Sequence, residues 1–171
     1  MLKFIRKLFR ITQKVQIYFS PSNGCADTIV SLIKNARKSI YIQAYTFSLK
    51  EISDALIDAK KIKIDIQFIG DKSGMSSKGS LIDDINNAGI TCFIDSKHRI
   101  AHNKIIIIDN KIVVTGSYNF TKNGEIYNAE NLVIINDKKI ALTYLDNWNN
   151  HKSHSIPYVK QSLMFTQENL F

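Results

Sequence analysis

Cysteine, proline and glycine are scarce in this 171-residue chain, and long apolar runs are missing. The 7 glycines and 2 prolines exclude a collagen-like sequence. The 2 cysteines, Cys25 and Cys92, are too few for a disulfide scaffold and lack the CxxC spacing of a zinc or redox pair. We expect both to be buried free thiols, with a single disulfide as the alternative. The longest apolar runs, such as residues 105–108, are too short to span a bilayer.

The composition is that of one folded domain. Hydrophobic residues make up 44% of the chain and charged residues 22%, which is ordinary for globular proteins and excludes a disordered chain. An average domain has about 150 residues, so there is room for one core but not for two large domains. We expect one domain over residues 15–152, a short N-terminal segment over residues 1–14, and a loosely held C-terminal tail over residues 153–171.

Positive charge is concentrated at the N-terminus. The net charge is +8, and five basic residues but no acidic residue lie in the first fifteen positions. On a helix these basic residues share one side and apolar residues the other, which predicts a basic amphipathic helix. We expect a leader helix packed on the domain or frayed in solvent; contact with a membrane surface or nucleic acid, and an atypical export signal, are the alternatives. A cytoplasmic protein is expected, with periplasmic, secreted or membrane-associated locations left open.

Apolar periodicity predicts alternating strands and helices in the first half of the chain. The predicted strands cover residues 15–19, 39–45, 62–69 and 90–94, and the predicted helices cover residues 26–36, 49–60 and 81–88. This alternation is typical of an α/β fold, and we expect a mixed, mostly parallel β-sheet flanked by helices on both faces. The second half departs from it. An antiparallel hairpin is predicted over residues 104–115, turning at Asp109-Asn110, followed by a strand over 131–135 and a helix over 137–149.

Histidine occurs only 4 times, and His102 is the informative one. On a strand His102 and Lys104 face the same way, which is unusual for a core because lysine is almost never buried unpaired. The four isoleucines that follow are apolar on both faces, as in a sheet that is covered twice. A polar pair therefore lies at one end of a buried strand, where sites in α/β sheets tend to form.

A second polar group follows the hairpin. Ser117 and Asn119 share a face, and the returning strand brings them level with Lys104 and His102. Glu130 precedes the next predicted strand. Together these residues offer a nucleophile or base, a fixed cation, two neutral donors and a carboxylate, which suits an anionic centre such as a phosphodiester. The alternative is that each is merely a turn or cap residue.

The spacing of these residues resembles a known family. His102-x-Lys104-x4-Asp109-x6-Gly116-Ser117-x-Asn119 is similar to the HxK(x)4D(x)6GSxN signature of the phospholipase D superfamily, complete and with every gap in register. The flanking segments resemble those of the small bacterial Nuc-type endonucleases, and the resemblance covers about residues 15–150. The segments that carry it are residues 44–48, 59–61, 119–122 and 128–131.

The resemblance implies a two-step phosphodiester transfer with no cofactor and no metal. One histidine attacks phosphorus, and a second protonates the leaving oxygen and then activates water. Lys104 and Asn119 would hold the phosphoryl oxygens with help from Ser117, and Glu130 would orient the His102 imidazole. Asp109 belongs to the motif, but its position in the hairpin turn suggests a supporting role.

The chain carries one motif where the implied mechanism needs two histidines. His98 lacks a following lysine at the right spacing and is expected in a loop near the site. His151 and His154 are expected to be solvated in a polar segment after the last helix. The resemblance therefore implies a homodimer with His102 of each copy facing across a two-fold axis.

The leading function is a metal-independent endonuclease acting on DNA or RNA with little sequence specificity. Tyr45 and Phe47 are candidates for stacking on bases, with packing as the alternative. A phospholipase D that releases a lipid headgroup is the runner-up, since the same chemistry serves both and the N-terminal helix suits a membrane. A non-catalytic nucleic-acid-binding module and a Mg²⁺-dependent nuclease using Asp109 and Glu130 are weaker alternatives.

Overall fold

The structure is a computed structural model that describes residues 14–21 and 24–159. The predicted N-terminal helix and most of the predicted C-terminal tail lie outside these residues. Strands and helices follow one another along the described chain. The strands are β1 (Val15–Ser20), β2 (Ser39–Ala44), β3 (Asp65–Asp71), β4 (Thr91–Asp95), β5 (Lys104–Ile108), β6 (Ile112–Gly116), β7 (Glu130–Asn136) and β8 (Ile156–Pro157). The helices are α1 (Cys25–Lys34), α2 (Lys50–Lys61), α3 (Lys72–Met75), α4 (Ile82–Asn87), α5 (Lys122–Ile126) and α6 (Lys138–His154).

The described strands form one 8-stranded sheet in the order β1-β7-β6-β5-β2-β3-β4-β8. This confirms the predicted α/β class with a mixed sheet. The expectation of a mostly parallel sheet is wrong, because only β2–β3 and β3–β4 are parallel among the described pairs. The helical crossovers α2 and α4 produce these two pairs. In the second half of the chain, a tight turn joins β5 to β6 as an antiparallel hairpin, and β7 returns antiparallel to both β6 and β1.

Both faces of the sheet are covered, and β5 lies between two apolar layers. Ile106 and Ile108 belong to the core shared with α1 and α2. Ile105 and Ile107 face the opposite core, where α6 packs through the buried Trp148. The indole nitrogen of Trp148 donates a hydrogen bond of 2.9 Å to the carbonyl oxygen of Ile42 in β2. The doubly apolar run after Lys104 thus has the burial that the sequence predicted.

Residues 150–157 have more regular structure than the sequence predicted. Helix α6 continues to His154 instead of ending near residue 149, and the two-residue strand β8 then pairs with β4. The reason is tertiary: His151 and His154 on the last turns of α6 contact Asp95 at the end of β4. Contacts between residues more than fifty positions apart leave no trace in local periodicity. Within residues 14–21 and 24–159, no helix is long and apolar enough to cross a membrane.

Candidate active site

The predicted polar groups meet at one edge of the sheet. Strands β2 and β6 end there, whereas β5 and β7 begin there. Lys104, the first residue of β5, is paired with Ala44, the last residue of β2. Gly116, the last residue of β6, is paired with Leu132 near the start of β7. The loops that leave or enter these four strands carry the residues of the site.

His102 lies just before β5 and is exposed to solvent. Its imidazole packs against the Tyr45 ring, with the ring centroids 4.6 Å apart at an angle of 55°. The Tyr45 backbone N–H donates to the carbonyl oxygen of Asn103 at 3.0 Å, which holds the two segments together. The arrangement leaves one imidazole face and edge open to a substrate while the tyrosine limits how the ring turns.

Lys104 is buried, with 6% of its surface exposed. Its ammonium donates to the carbonyl oxygen of His102 at 2.7 Å and lies 5.2 Å from the Tyr45 ring centroid. Burial lowers the pKa of Lys104 from 10.5 to about 8, while the negative charge of Glu130 opposes the shift. A buried cation with so little hydration is suited to bind an anionic oxygen strongly.

Ser117 and Asn119 are positioned by the end of β6. Ser117 exchanges two hydrogen bonds with Asn131: its N–H donates to the Asn131 carbonyl oxygen at 3.1 Å, and its hydroxyl accepts from the Asn131 N–H at 3.0 Å. Gly116 is required there, because its φ is +141° and a Cβ would collide with that same carbonyl oxygen. The Thr46 hydroxyl donates to the Asn119 side-chain oxygen at 3.2 Å. A substrate would therefore meet the Asn119 amide nitrogen as a donor.

Glu130 begins β7 on the same edge of the sheet. Its carboxylate accepts a hydrogen bond of 3.1 Å from the Asn128 side chain. Its electrostatic effect falls on Lys104, whose charged form it favours. The predicted contact of Glu130 with the His102 imidazole is not part of this arrangement, so its role toward His102 stays a prediction.

Asp109 is not brought to this edge. It lies beyond the far end of β5, about 16 Å of extended strand from Lys104, in a turn where Asp109 and Asn110 both have φ of +53°. Its carboxylate accepts hydrogen bonds from the backbone N–H groups of Arg37, Lys38 and Ser39, at 2.7–3.1 Å. Although Asp109 belongs to the motif that the resemblance assigns to catalysis, it lies apart from His102 and Lys104 and ties the hairpin turn to the segment before β2.

Phe47 is also placed differently from its predicted role in substrate binding. It is 1% exposed and packs edge-on against Phe68 inside the core, with ring centroids 5.1 Å apart. Phe47 thus follows the alternative of packing in the core, and β2 ends at Ala44 before reaching it. Tyr45 alone of this pair stays at the site.

The loop between β4 and β5 is fixed from both sides. Asp71 accepts a hydrogen bond of 2.7 Å from the Ala101 N–H and caps α3 through the N–H groups of Ser73 and Gly74. Burial raises the pKa of Asp71, but the hydrogen bonds it accepts outweigh that effect and leave the pKa below its usual value. Sequence reasoning missed this residue, although an aspartate at a strand end before a polar loop is a capping signal.

Two of the three remaining histidines are not where the sequence placed them, whereas His98 lies in the loop between β4 and β5. His151 and His154 lie on α6 and are mostly buried, which corrects the expectation that they are solvated. Together with His98 they surround Asp95 at the end of β4. Burial raises the pKa of Asp95, but the hydrogen bonds from His151 and His98 outweigh it, and the carboxyl is held ionised.

A cavity of about 360 Å³ lies along α3. Its lining includes Lys72, Ser76, Ser77 and Tyr158, but neither His102 nor Lys104. The groups with phosphodiester chemistry thus lie on the open edge of the sheet and not inside this cavity. That arrangement offers one exposed imidazole, one buried cation and oriented neutral donors to a phosphate group approaching from solvent.

The comparison with known proteins agrees with this geometry. Residues 29–152 match the family model described as "Cardiolipin synthase, PLD-like domain". The chain therefore belongs to the phospholipase D superfamily, as the motif predicted, and it is a phosphodiester hydrolase of that superfamily. The helix-flanked mixed sheet is the fold of this class.

One related sequence and two solved structures resemble this chain over most of its length. A protein named phospholipase D from Rickettsia felis is 42% identical over 143 residues, which cover 84% of this chain and 72% of that protein. The crystal structure of a phospholipase D family member, Nuc from Salmonella typhimurium, has a TM-score of 0.81 at 37% identity, covering 85% of this chain and 98% of that one. NucT from Helicobacter pylori, at 22% identity and a TM-score of 0.73, covers 84% of this chain and 99% of its own and shares the fold.

Proposed function

We propose that this phosphodiesterase is a metal-independent endonuclease that hydrolyses DNA or RNA with little sequence specificity. The observation that carries the proposal is the pairing of an exposed imidazole, His102, with a buried ammonium, Lys104, on an open edge of the sheet. The imidazole is accessible to phosphorus, and the ammonium is poorly hydrated and close by. Neutral donors from Ser117 and Asn119 complete the set.

The chemistry follows from these positions. An imidazole nitrogen of His102 attacks phosphorus, the bond from phosphorus to the leaving oxygen breaks, and that oxygen takes a proton from a second histidine. Water, deprotonated by that second histidine, then attacks the phosphohistidine and releases the phosphate monoester. Lys104 and the Asn119 amide hold the non-bridging oxygens, whose negative charge grows in each transition state.

The second histidine is proposed to come from another copy of the chain. The chain has 4 histidines, and three of them are engaged around Asp95. His102 alone lies at the site, so a homodimer with two facing His102 residues supplies the missing acid and base. Sedimentation of the full chain tests this, because a monomer that retains full activity would contradict it.

Nucleic acid is the favoured substrate for two reasons. The chain carries a net charge of +8, which attracts a polyanion. The site is an open edge beside an aromatic ring, Tyr45, on which a base could stack. The resemblance to the small Nuc-type endonucleases points the same way, and the chain covers 98% of the length of Salmonella Nuc.

The second candidate is a phospholipase D acting on a lipid headgroup. Its support is the relative named phospholipase D from Rickettsia felis, which is 42% identical. In that case the basic, apolar segment over residues 1–14 is proposed as the peripheral contact with a membrane. Both substrates present the same phosphodiester, so the choice has to be made by measurement.

The test is cleavage of single- and double-stranded DNA and RNA in excess EDTA, with phosphatidylcholine vesicles as a parallel substrate. Wild type, His102→Ala and Lys139→Ala are compared, the last being a matched control on an exposed part of α6. Polymer cleavage that survives EDTA, persists in Lys139→Ala and vanishes in His102→Ala supports the proposal. Headgroup release without polymer cleavage would favour the lipase. Activity that follows added Mg²⁺ and survives His102→Ala would overturn both.

A further inference from the structure

A second cluster of polar side chains lies away from His102, between the end of β4 and the end of α6. Asp95 is the last residue of β4, and its carboxylate is 0% exposed. One oxygen, Oδ2, lies 3.0 Å from His98 Nδ1, 2.8 Å from His151 Nδ1 and 3.4 Å from His154 Nε2. The three imidazole rings also contact one another, with centroids 4.9–5.4 Å apart.

Hydrogen bonding alone accounts poorly for this convergence. A carboxylate oxygen has two lone pairs, yet three imidazole nitrogens point at the same Oδ2. The other oxygen, Oδ1, accepts from the backbone N–H groups of Lys97 and His98, at 3.1 and 3.3 Å, and it also lies 3.1 Å from His98 Nδ1. Five nitrogen atoms therefore lie around one buried carboxylate, which has about four lone-pair sites. One cation among the four side chains would satisfy all of them at once.

We propose that Asp95, His98, His151 and His154 bind a divalent transition-metal ion, for which Zn²⁺ is the best fit. Each residue offers one ligand atom, and these four atoms lie within 4.8 Å of one another. A tetrahedral Zn²⁺ with bonds of about 2.0–2.1 Å needs its ligands about 3.3 Å apart. Small side-chain movements would bring the four ligand atoms to this spacing. Three imidazoles exclude Ca²⁺ and Mg²⁺, which take oxygen ligands.

The site is structural and not part of the phosphodiester chemistry. Four protein ligands fill a tetrahedral shell and leave no position for substrate or water, as in structural zinc sites. The ion would join the end of α6 to β4 and to His98 in the loop between β4 and β5. Since His102 follows His98 by four residues, the same ion would also stiffen the loop that leads to the active site. The inference does not rest on the proposed substrate.

The test is metal binding by the full chain after chelator treatment and dialysis. Zn²⁺ is titrated by calorimetry, and Co²⁺ is used as a visible probe because its absorption reports tetrahedral coordination. We expect one ion per chain and a higher thermal midpoint with Zn²⁺, since a ligand that binds the native state stabilises it. Removing groups that merely support metal ligands costs about 10–100-fold in affinity, so His151→Ala and His154→Ala should each cost at least about tenfold.

Two further variants separate the loss of a metal ligand from a general loss of structure. His98→Ala removes a ligand that is 44% exposed, so it weakens binding without opening the core. His102→Ala is the matched control: the same substitution outside the cluster should abolish cleavage and leave metal binding unchanged. The proposal is overturned if chelator-treated protein binds no Zn²⁺ in stoichiometric amount. It is equally overturned if binding is unaffected by His98→Ala and His154→Ala, or falls as much in His102→Ala.

Discussion

The two ends of β5 carry parts of one sequence motif but have different environments. At the start of the strand, His102 is exposed, and Lys104 is a buried cation whose ammonium donates to the carbonyl oxygen of His102. Beyond the other end, Asp109 is surrounded by backbone N–H groups of the segment that leads into β2. The same motif therefore contributes reactive groups at one end and a structural tie at the other. The spacing of the motif identifies the residues at both ends, but it does not tell the reactive residues from the structural one.

The largest predicted effect is at the reactive end. His102→Ala removes the nucleophile, so cleavage should fall by at least about 10³-fold, as when a covalent catalyst is deleted. Since His102 is exposed, the thermal midpoint should stay within the range of ordinary surface substitutions. The measurement is single-turnover cleavage beside thermal unfolding. Substantial residual cleavage by a folded variant would show that another residue attacks phosphorus.

Lys104→Met should reduce cleavage by roughly 10²–10³-fold, the usual cost of losing one group that stabilises a developing negative charge. The same substitution should make the folded state more stable. The folded state holds this ammonium at a cost, which its lowered pKa records, and methionine fills a similar volume without charge. Thermal unfolding should therefore show a higher midpoint than wild type. A lower midpoint, with the control Lys139→Met unchanged, would contradict the interpretation that the buried charge of Lys104 destabilises the folded state.

The lowered pKa of Lys104 should also make both cleavage and stability depend on pH. With its pKa near 8, Lys104 loses its proton above that pH, and cleavage should decline there unless bound phosphate raises the pKa. The contribution of Lys104 to the stability of the folded state should instead increase with pH. Between pH 8 and the ordinary lysine pKa of 10.5, the unfolded chain binds more protons than the folded one, so this group's contribution to stability rises with pH. A Lys104→Met chain should lack this rise in denaturant titrations at several pH values.

The smallest effect on catalysis is expected at the turn end. Asp109→Asn keeps a residue that tolerates the φ of +53° but weakens the hydrogen bonds from Arg37, Lys38 and Ser39. We expect a loss of about 1 kcal/mol in the free energy of unfolding and nearly unchanged cleavage. Urea unfolding and cleavage assays measure the two quantities. A loss of cleavage comparable to that of His102→Ala, with the fold intact, would place Asp109 in the chemistry and erase the contrast between the two ends.

Local patterns predicted most of what positions the site. Alternation and apolar runs gave the strands, and the burial of β5 on both faces followed from its four isoleucines. The fixed gaps of the motif identified His102, Lys104, Ser117 and Asn119, which the structure brings to one edge of the sheet. Because these features depend on neighbours a few residues apart, or on one hairpin, they are visible in a sequence.

Features that depend on distant contacts could not be predicted. The continuation of α6 depends on Asp95, which lies 56 residues from His151. The burial of Phe47 depends on where β2 stops. The lowered pKa of Lys104 depends on how completely the surrounding chain removes water from its ammonium. The expectation of a mostly parallel sheet was wrong, because the pairing outside β2, β3 and β4 depends on how the second half of the chain returns along the sheet.

The most direct test of the central claim is to trap the covalent intermediate. The full chain is mixed with a short oligonucleotide in EDTA, quenched in alkali, where phosphohistidine survives, and digested for mass spectrometry. We predict an oligonucleotide fragment joined through its phosphorus to the peptide that contains His102, and none on peptides containing His98, His151 or His154. A nucleotide adduct on one of those three histidines, or no adduct while cleavage proceeds, would contradict the proposed mechanism.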